Sequence, residues 1–374
     1  MDFNLSEQQR MLQRAAKDFA VKAVKPRAAE IDSSGQFPFE LAKEIGRRGY
    51  QGLPYPAEYG GSGAGYLSYA LALEQLCQAS MTVGAIMAIN TVPEEAIFRF
   101  GNDEQKKRFL SPLAQGEKLG GIAFTEAETG SDPNAITTTS KKSGDGYIIN
   151  GQKHFVALAL AADLTLVFTK GAGKGLNAFV IDISSKGYSV REPCETMGLK
   201  GLGTSVVYLD DVRVPEENLL GKEGQGFDIL REAISLGRLG AAVEGVAVAQ
   251  AALDISIDYA KQRKAMGKPI AKLPTIQWHL AEMAGRIEAG RLLVYRAAFA
   301  RDQGQDIKYE SSLAKLFSSR IAVEVTGMAM QVGGSYGTMT TMPLERLYRD
   351  AKMTEIYVGI SEIQRNIIAE RLIE

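Results

Sequence analysis

Apolar side chains recur at helical spacing through the first third of the chain. They fall at intervals of three and four residues, as at Leu12, Ala15, Ala16 and Phe19. Ser6, with Gln9 three residues later, predicts the N-terminal cap of this first helix. A segment rich in Pro, Gly and Tyr over 54–65 predicts a loop, and helical character then continues to about residue 114. We therefore predict an N-terminal helical domain over 1–118.

The pattern changes at about residue 119, where short runs rich in β-branched and aromatic residues replace the helical spacing. These runs lie at 146–150, 164–168, 177–182 and 205–209. Clusters of Gly, Asp and Lys separate them, which is typical of short strands joined by turns. The pattern predicts a small antiparallel sheet domain over 119–230.

Helical spacing returns at about Phe227 and continues to the end of the chain. Long helices are predicted over 227–264, 274–304 and 307–332, and a last one from about Ser361. They form a predicted C-terminal helical domain over 231–374. The order of helices, sheet and helices predicts an α+β fold that is mostly α.

One position in the longest predicted helix stands out by its charge. The segment 239–253 is apolar on every face and contains a single charged residue, Glu244. A carboxylate in such surroundings costs free energy unless it is paired, protonated or used in chemistry. Either Glu244 pairs with an arginine of another helix, or it is a candidate proton acceptor.

Composition excludes several classes of function. Lys and Arg number 43 against 44 Asp and Glu, which gives no support for a nucleic-acid or acidic-membrane partner. No apolar run reaches about 18 residues, so no membrane span is predicted, and the N-terminus lacks the form of a signal peptide. With two cysteines and two histidines, neither a zinc site nor a histidine triad is indicated. We expect a cytoplasmic protein without a metal.

Four short motifs carry candidate chemistry. They are Phe124-Thr-Glu126 with Thr129-Gly-Ser-Asp132, Asn150-Gly-Gln-Lys-His-Phe155, Gln262-Arg-Lys-Ala-Met-Gly267, and Arg349-Asp-Ala351 followed by Tyr357-Val-Gly359 and Glu362-Ile-Gln-Arg365. Each alone is compatible with a turn, a core aromatic or a solvated charged face. Their order and spacing together resemble those of the acyl-CoA dehydrogenase family, from Phe3 to Arg371.

The resemblance implies an N-terminal helical domain, a middle β-domain and a C-terminal four-helix domain, assembled as a homodimer or homotetramer. It also implies FAD, held between the β-domain and the C-terminal helices. Residues expected at the flavin and the pantetheine arm are Phe124, Thr125, Gly130, Ser131, Phe155 and Ala157, with Ile360 directly after Gly359. Arg238 is expected beside the thioester arm. Arg263 and, from a neighbouring subunit, Gln331 and Gly334 are expected at the pyrophosphate and adenosine.

The family reaction is α,β-dehydrogenation of an acyl thioester, in which a carboxylate takes the α-proton and the flavin takes the β-hydride. The position that carries this carboxylate in most members is Val358 here, which keeps only a backbone N–H for the thioester carbonyl. The alternative position used by some members is Gly237. Ala157 and Ile360 replace customary threonines, while Met266 and Pro274 replace a customary Phe and Gln.

Three explanations of these departures stay open. The base has moved to Glu244, about two helical turns beyond Gly237 on nearly the same face; or the scaffold performs another reaction; or the chain is a silent subunit or binding module. Glu94 and Glu95 form a further acid pair, interpreted as solvated or capping.

The residues expected to line the acyl pocket are small. Gly84, Ala85 and Ala88 are interpreted as leaving space for a bulky or cyclic acyl group. A relocated base, the opening residues 1–6 and the segment 302–306 favour a prolyl-type group on a carrier protein slightly over a CoA thioester, as does Ser235 where some CoA-using relatives have an acid. The expected electron acceptor is oxygen or an electron-transfer flavoprotein.

Overall fold

The computed structural model describes residues 4–173 and 175–373, and its first part is helical. Its helices are α1 (Glu7–Phe19), α2 (Ala28–Ser34), α3 (Phe39–Arg47), α4 (Gly65–Ala79), α5 (Met81–Phe100), α6 (Asp103–Gln105) and α7 (Ser111–Ala114). The capping box at the start of α1 is confirmed, because Ser6 accepts from the Gln9 N–H while Gln9 accepts from the Ser6 N–H. Residues 1–3, where the family resemblance begins, lie outside the described residues.

A seven-stranded sheet follows. Its strands are β1 (Gly120–Ala123), β2 (Thr139–Ser143), β3 (Gly146–Val156), β4 (Leu164–Lys170), β5 (Leu176–Asp182), β6 (Tyr188–Val190) and β7 (Ser205–Pro215). The expectation of an antiparallel sheet is wrong in part, because β1 pairs with β4 in parallel and β2 meets β4 in parallel. The short connections favour antiparallel pairing, and the two parallel contacts join strands that are distant in sequence.

The last part is again helical. It contains α8 (Gly226–Gln262), a short hairpin of β8 (Lys264–Ala265) and β9 (Lys268–Pro269), α9 (Pro274–Asp302), α10 (Lys308–Gly333), α11 (Leu344–Met353) and α12 (Ser361–Ile373). Sequence reasoning missed α11, which lies between a Gly-rich turn and the loop before α12. The mostly helical α+β fold is confirmed.

The core is organised around α8, which packs against α10, α5, α4 and α9. Every residue of this helix from Ala233 through Ala249 is buried, as its apolar sequence predicts. It is the one helix in the described chain with the length and apolarity to cross a membrane, and 78% of its most apolar window is covered by the protein itself. Its burial between other helices accounts for that composition.

Candidate active site

The two positions that carry the family's carboxylate meet in this structure. A Cβ built on Gly237 would lie 2.6 Å from Val358 Cγ1 and 3.4 Å from Val92 Cγ2. Side chains of the α11–α12 loop, α8 and α5 therefore converge at one point, and there the lining is apolar. Neither Val358 nor Gly237 can accept a proton.

The loop that carries Val358 has an unusual backbone. Val358 has φ +54° and Gly359 has φ +93°. A β-branched residue in this region is a genuine outlier that costs about 1–3 kcal/mol, and such residues persist where their surroundings hold them. Lys315 Nζ donates to the Gly359 carbonyl at 2.7 Å, and Gln364 Nε2 donates to the same oxygen at 2.8 Å.

Two cations are buried close to this loop. Arg238 is 7% exposed, and its Nε and Nη1 find no acceptor among the described residues. Burial lowers the Arg238 pKa to about 10, with the charge of Asp306 acting in the opposite direction. Burial, together with the charge of Arg238, lowers the pKa of Lys315 to about 7. Two cationic side chains that are largely shielded from water therefore lie against the loop.

Glu244 lies deeper along α8. It is 1% exposed, and neither carboxylate oxygen has a hydrogen-bond partner within the described residues. Burial, reinforced by the charge of Asp350, raises the Glu244 pKa well above its ordinary value. Tyr69 and Cys77 on α4 lie within electrostatic range of it, and the Tyr69 hydroxyl is also buried and unpaired. The structure gives no arginine partner to Glu244 in the described chain.

Glu94 and Glu95 differ from their interpretation as solvated or capping residues, because both are fully buried. Glu95 accepts from Tyr66 Oη at 2.7 Å and Arg99 Nε at 3.0 Å, and also pairs with Arg301. One oxygen of Glu94 accepts from Asn90 at 2.6 Å, and the other has no partner in the described chain. Pro93 lies inside α5 rather than before its start, so the two acids occupy mid-helix positions that pack against the core.

The wall expected for the acyl pocket is less open than its small residues suggest. A Cβ on Gly84 would lie 2.1 Å from Cys77 Sγ, so this glycine allows close packing of α5 on α4. Ala88 lies further along α5 and faces Gly240 of α8, whose added Cβ would be 3.3 Å from Ala88 Cβ and 3.2 Å from Tyr69 Oη. The interpretation that Gly84 leaves space for the acyl group is wrong, because Cys77 fills the direction that a side chain at Gly84 would take.

The residues expected at the flavin ring come together at the end of β1 and β3. The His154 N–H donates to the Thr125 carbonyl at 2.8 Å, which places Phe155 beside the Phe124–Thr125 turn. Phe155 has φ +54° and its side chain is 69% exposed. A large aromatic side chain, held by strands yet uncovered, fits a planar ring system that stacks on it. Ala157, two residues later, is half-buried and offers no hydroxyl.

The loop after Thr125 is fixed by one carboxylate. Glu126 accepts from the N–H groups of Thr137 and Thr138, at 2.7 and 2.9 Å, and from Lys153 Nζ at 2.7 Å. Burial alone would raise the Glu126 pKa, but these hydrogen bonds outweigh it and lower the pKa to about 2. This anchor leaves Gly130 and Ser131 exposed at the tip of the loop, where a ligand can reach them.

The residues expected at the adenosine end form a second group. Arg263 lies 5.9 Å from the Tyr336 ring centroid, and Gln331 and Gly334 are exposed. Gly334 has φ +57°, and a Cβ there would meet nothing within 4 Å. The resemblance implies that Arg263 acts with Gln331 and Gly334 of another subunit. In the structure, Arg263 contacts Tyr336 of the same chain, two residues beyond Gly334.

Ile360 lines a surface cleft at the N-terminus of α12. The cleft has a volume of about 440 Å³ and includes Arg320, Lys352 and Arg365 along with Glu355 and Glu362. Each of its basic side chains pairs with an acid: Arg320 with Glu324, Lys352 with Glu355 and Arg365 with Glu362. Ile360 lies two residues after Val358, which does not itself line the cleft.

Models of the acyl-CoA dehydrogenase N-terminal, middle and C-terminal domains match residues 6–117, 121–212 and 224–373. An acyl-CoA dehydrogenase of Bacillus subtilis is 41% identical over 99% of both chains. Butyryl-CoA dehydrogenase from Megasphaera elsdenii has a TM-score of 0.98 at 36% identity, over all of both chains. The prolyl acyl carrier protein oxidase AnaB has a TM-score of 0.94 at 31% identity, over 99% of this chain and 100% of that one.

The fold, together with the exposed aromatic face of Phe155 that fits a flavin ring, defines a flavin-dependent oxidoreductase. The chain belongs to the acyl-CoA dehydrogenase family, and it is an FAD enzyme of the type that dehydrogenates acyl thioesters. The residues around Phe155 fit the flavin ring, and those around Arg263 fit its phosphates. The departures from the family include both carboxylate positions, Val358 and Gly237, and the substitutions at Ala157, Ile360, Met266 and Pro274.

Sequence reasoning missed Lys315 and Gln364, which hold the Val358 loop. A signal for Lys315 was present, because this lysine lies among small residues on α10, beside Ala314, Ser318 and Ser319. A long cationic side chain among small residues indicates either that its charged end reaches a buried partner or that the helix is kinked where it packs. Gln364 lies within the motif at 362–365, but the motif did not indicate its bond to the Val358 loop.

Proposed function

We propose that this protein catalyses FAD-dependent α,β-dehydrogenation of an acyl-CoA thioester, with Glu244 as the acceptor of the α-proton. One observation carries the assignment of the base. Of the buried carboxylates on α4, α5, α8 and α11, Glu244 alone among the described residues has no partner on either oxygen.

The other buried acids in this region are committed to structural contacts. Glu95 is held by Arg301, Arg99 and Tyr66. Glu74 accepts from Arg291 and Tyr295, and Asp350 accepts from the Leu199 N–H at 2.7 Å. A buried carboxyl without any partner costs free energy, and native proteins keep few such groups without a functional reason.

The position of Glu244 constrains the substrate. It lies seven residues beyond Gly237, about 10 Å along the helix axis. Helical side chains lean toward the helix N-terminus, which shortens that gap. For its α-carbon to approach Glu244, the acyl group has to displace the close packing of α5 on α8 at Ala88 and Gly240.

Each group then has a defined task. The Val358 N–H meets no acceptor among the described residues. In the proposed complex it donates to the thioester carbonyl, which makes the α-proton acidic. Glu244 takes that proton, and its raised pKa makes it a strong base once it is ionised. FAD, when bound, supplies the acceptor for the β-hydride. Apolar residues such as Val92 exclude water from the reacting atoms.

The central test is anaerobic reduction of the bound flavin by an acyl thioester, followed by loss of its visible absorbance. Glu244→Gln should keep the flavin and bind thioester, while the rate of bleaching falls about 10²–10⁴-fold. In the unsubstituted protein the rate should rise with pH, because Glu244 must be ionised to act. Bleaching of the Gln variant at the normal rate rejects Glu244 as the base.

Two further variants sharpen this test. Glu94→Gln is the matched control, since Glu94 is equally buried and has one unpaired oxygen, and it should leave bleaching unchanged. Val358→Glu in the Glu244→Gln background puts a carboxylate at the family's usual position and should restore reduction. Flavin that never bleaches while thioester is consumed indicates diverted chemistry. A protein inert until a second chain is added indicates a silent subunit.

A second candidate substrate is a prolyl-type group on a carrier protein, favoured by the structural similarity to the prolyl acyl carrier protein oxidase AnaB. The identity to CoA-named relatives is higher, so we place CoA first. Matched acyl groups on CoA and on a carrier protein, followed by mass spectrometry for loss of two hydrogens, decide between them. We further propose a cytoplasmic homodimer or homotetramer whose reduced flavin is reoxidised by an electron-transfer flavoprotein, with oxygen as the alternative.

A further inference from the structure

The Val358 loop is held in its strained conformation by two side chains from other elements. Lys315 of α10 is fully buried, and its Nζ lies 2.7 Å from the Gly359 carbonyl oxygen. Gln364 of α12 is also fully buried, and its Nε2 lies 2.8 Å from the same oxygen. Both donors act on the peptide unit that follows Gly359, and Gln364 Nε2 also donates to the Val358 carbonyl, at 3.5 Å, in the peptide unit directly after Val358.

The position of this clamp matters because a peptide plane is rigid. The bonds hold the carbonyl oxygens on both sides of Gly359, and with Gly359 at φ +93° they limit how Val358 can turn. Val358 at φ +54° would relax to negative φ if it were free, since its branched side chain disfavours the left-handed region. Relaxation would re-aim the Val358 N–H.

We infer that Lys315, assisted by Gln364, is a positioning residue that keeps the Val358 N–H aimed at the thioester carbonyl. The inference rests on the proposed binding of a thioester at this loop, but it does not depend on which residue is the base. Lys315 contacts neither substrate nor flavin in this scheme. It acts through the backbone of the loop.

The charges around Lys315 make the clamp sensitive to pH. Arg238 of α8 faces it and opposes its charge, whereas Glu355 and Glu362, from the loop before α12 and from α12, favour it. Burial is the largest influence, and together these effects lower the Lys315 pKa to about 7. The ammonium donates a stronger hydrogen bond than the neutral amine, so the clamp should weaken as pH rises through about 7.

The test compares two ligands that differ only in the carbonyl. One is an acyl-CoA thioester and the other is the corresponding S-alkyl-CoA thioether, which has no carbonyl to accept from Val358. Kd for each is measured from the perturbation of the flavin spectrum, in the Glu244→Gln background so that no turnover occurs. The holoprotein should bind the thioester about three- to tenfold more tightly than the thioether.

Lys315→Met should remove this preference by weakening thioester binding and leaving thioether binding unchanged. Ser312→Ala is the matched control on α10, because the Ser312 hydroxyl donates to the Lys308 carbonyl and should leave the preference intact. A merely structural loss would weaken both ligands alike. If Lys315→Met does not fold, the preference of the parent protein should still fall between about pH 6 and 8.

Three results overturn the inference. The first is a folded Lys315→Met protein that keeps the full preference for the thioester. The second is a preference that stays constant through neutral pH. The third is a parent protein that binds neither ligand, which also rejects the proposed function; retained preference in the variant rejects the role of Lys315 alone.

Discussion

Glu95 and Glu244 are buried to the same depth, yet their surroundings have opposite character. Glu95, on α5, is 0% exposed and lies among Arg301, Arg99 and the Tyr66 hydroxyl. Glu244, on α8, is 1% exposed and meets no donor in the described chain. Arg301 also bonds Glu232, so Glu95 belongs to a charge network, whereas the one charge that influences the pKa of Glu244 within the described chain is the like charge of Asp350.

The difference separates structural from chemically available carboxylates. A carboxylate held by cations keeps its charge but has its lone pairs occupied, so it cannot act as a base without breaking those bonds. A carboxyl with no partner keeps its lone pairs and holds a proton readily, because burial raises its pKa. The paired carboxylate stabilises the fold, and the unpaired carboxyl is suited to proton transfer.

The largest expected effect on stability comes from removing a cationic partner of Glu95, which makes its surroundings more like those of Glu244. Arg301→Met removes the cation shared by Glu95 and Glu232, and it should lower the free energy of unfolding by about 3–5 kcal/mol. Urea unfolding followed by circular dichroism measures the loss. Arg286→Met is the control, since its partner Glu324 is 33% exposed and that change should cost less than about 1 kcal/mol. A loss of equal size in both variants would contradict a network role for Arg301.

Periodicity was sufficient for the fold, because its signals are local. The apolar run that contains Glu244 predicted a buried helix, and α8 is buried over that run. The capping box of Ser6 and the strands near Ile148 and Val180 were equally legible. Local spacing could not predict which strands pair in parallel, since that pairing joins residues far apart in the chain.

The sequence predicted which positions belong to the candidate site, but it did not predict how their side chains are directed or paired. The sequence placed Val358 and Gly237 at the usual carboxylate positions, and the structure brings them into contact. It did not indicate that Gly84 packs on Cys77, because the direction of a missing side chain depends on how two helices cross. Burial of Glu95 was also missed, since its main partner Arg301 is 206 residues away.

The next effect tests the packing beside Glu244. Gly84→Ala should lower the free energy of unfolding by about 1–3 kcal/mol, because the new methyl would overlap Cys77 Sγ. In the double variant with Cys77→Ala, the loss should be smaller than the sum of the two single losses. Thermal unfolding of the four proteins measures this coupling.

The control for this cycle is a glycine on an open helix surface. Gly285→Ala lies on α9, where a Cβ meets nothing within 4 Å, and it should stabilise the protein by up to about 1 kcal/mol. If Gly84→Ala leaves stability unchanged and alters only the acyl chain that is accepted, Gly84 lines the pocket after all.

The smallest effect, per pH unit, concerns Glu244 itself. Because its pKa is raised above the ordinary 4.5, the carboxyl favours the folded state fully below pH 4.5 and loses that contribution as pH rises toward the folded pKa. Glu244→Gln removes the titration, so its stability relative to the parent should increase with pH from about 4.5 upward. The slope is at most about 1.4 kcal/mol per pH unit. Urea unfolding at several pH values measures it, with exposed Glu30→Gln as the control. A constant difference across this range would mean that Glu244 stays charged and is paired as Glu95 is.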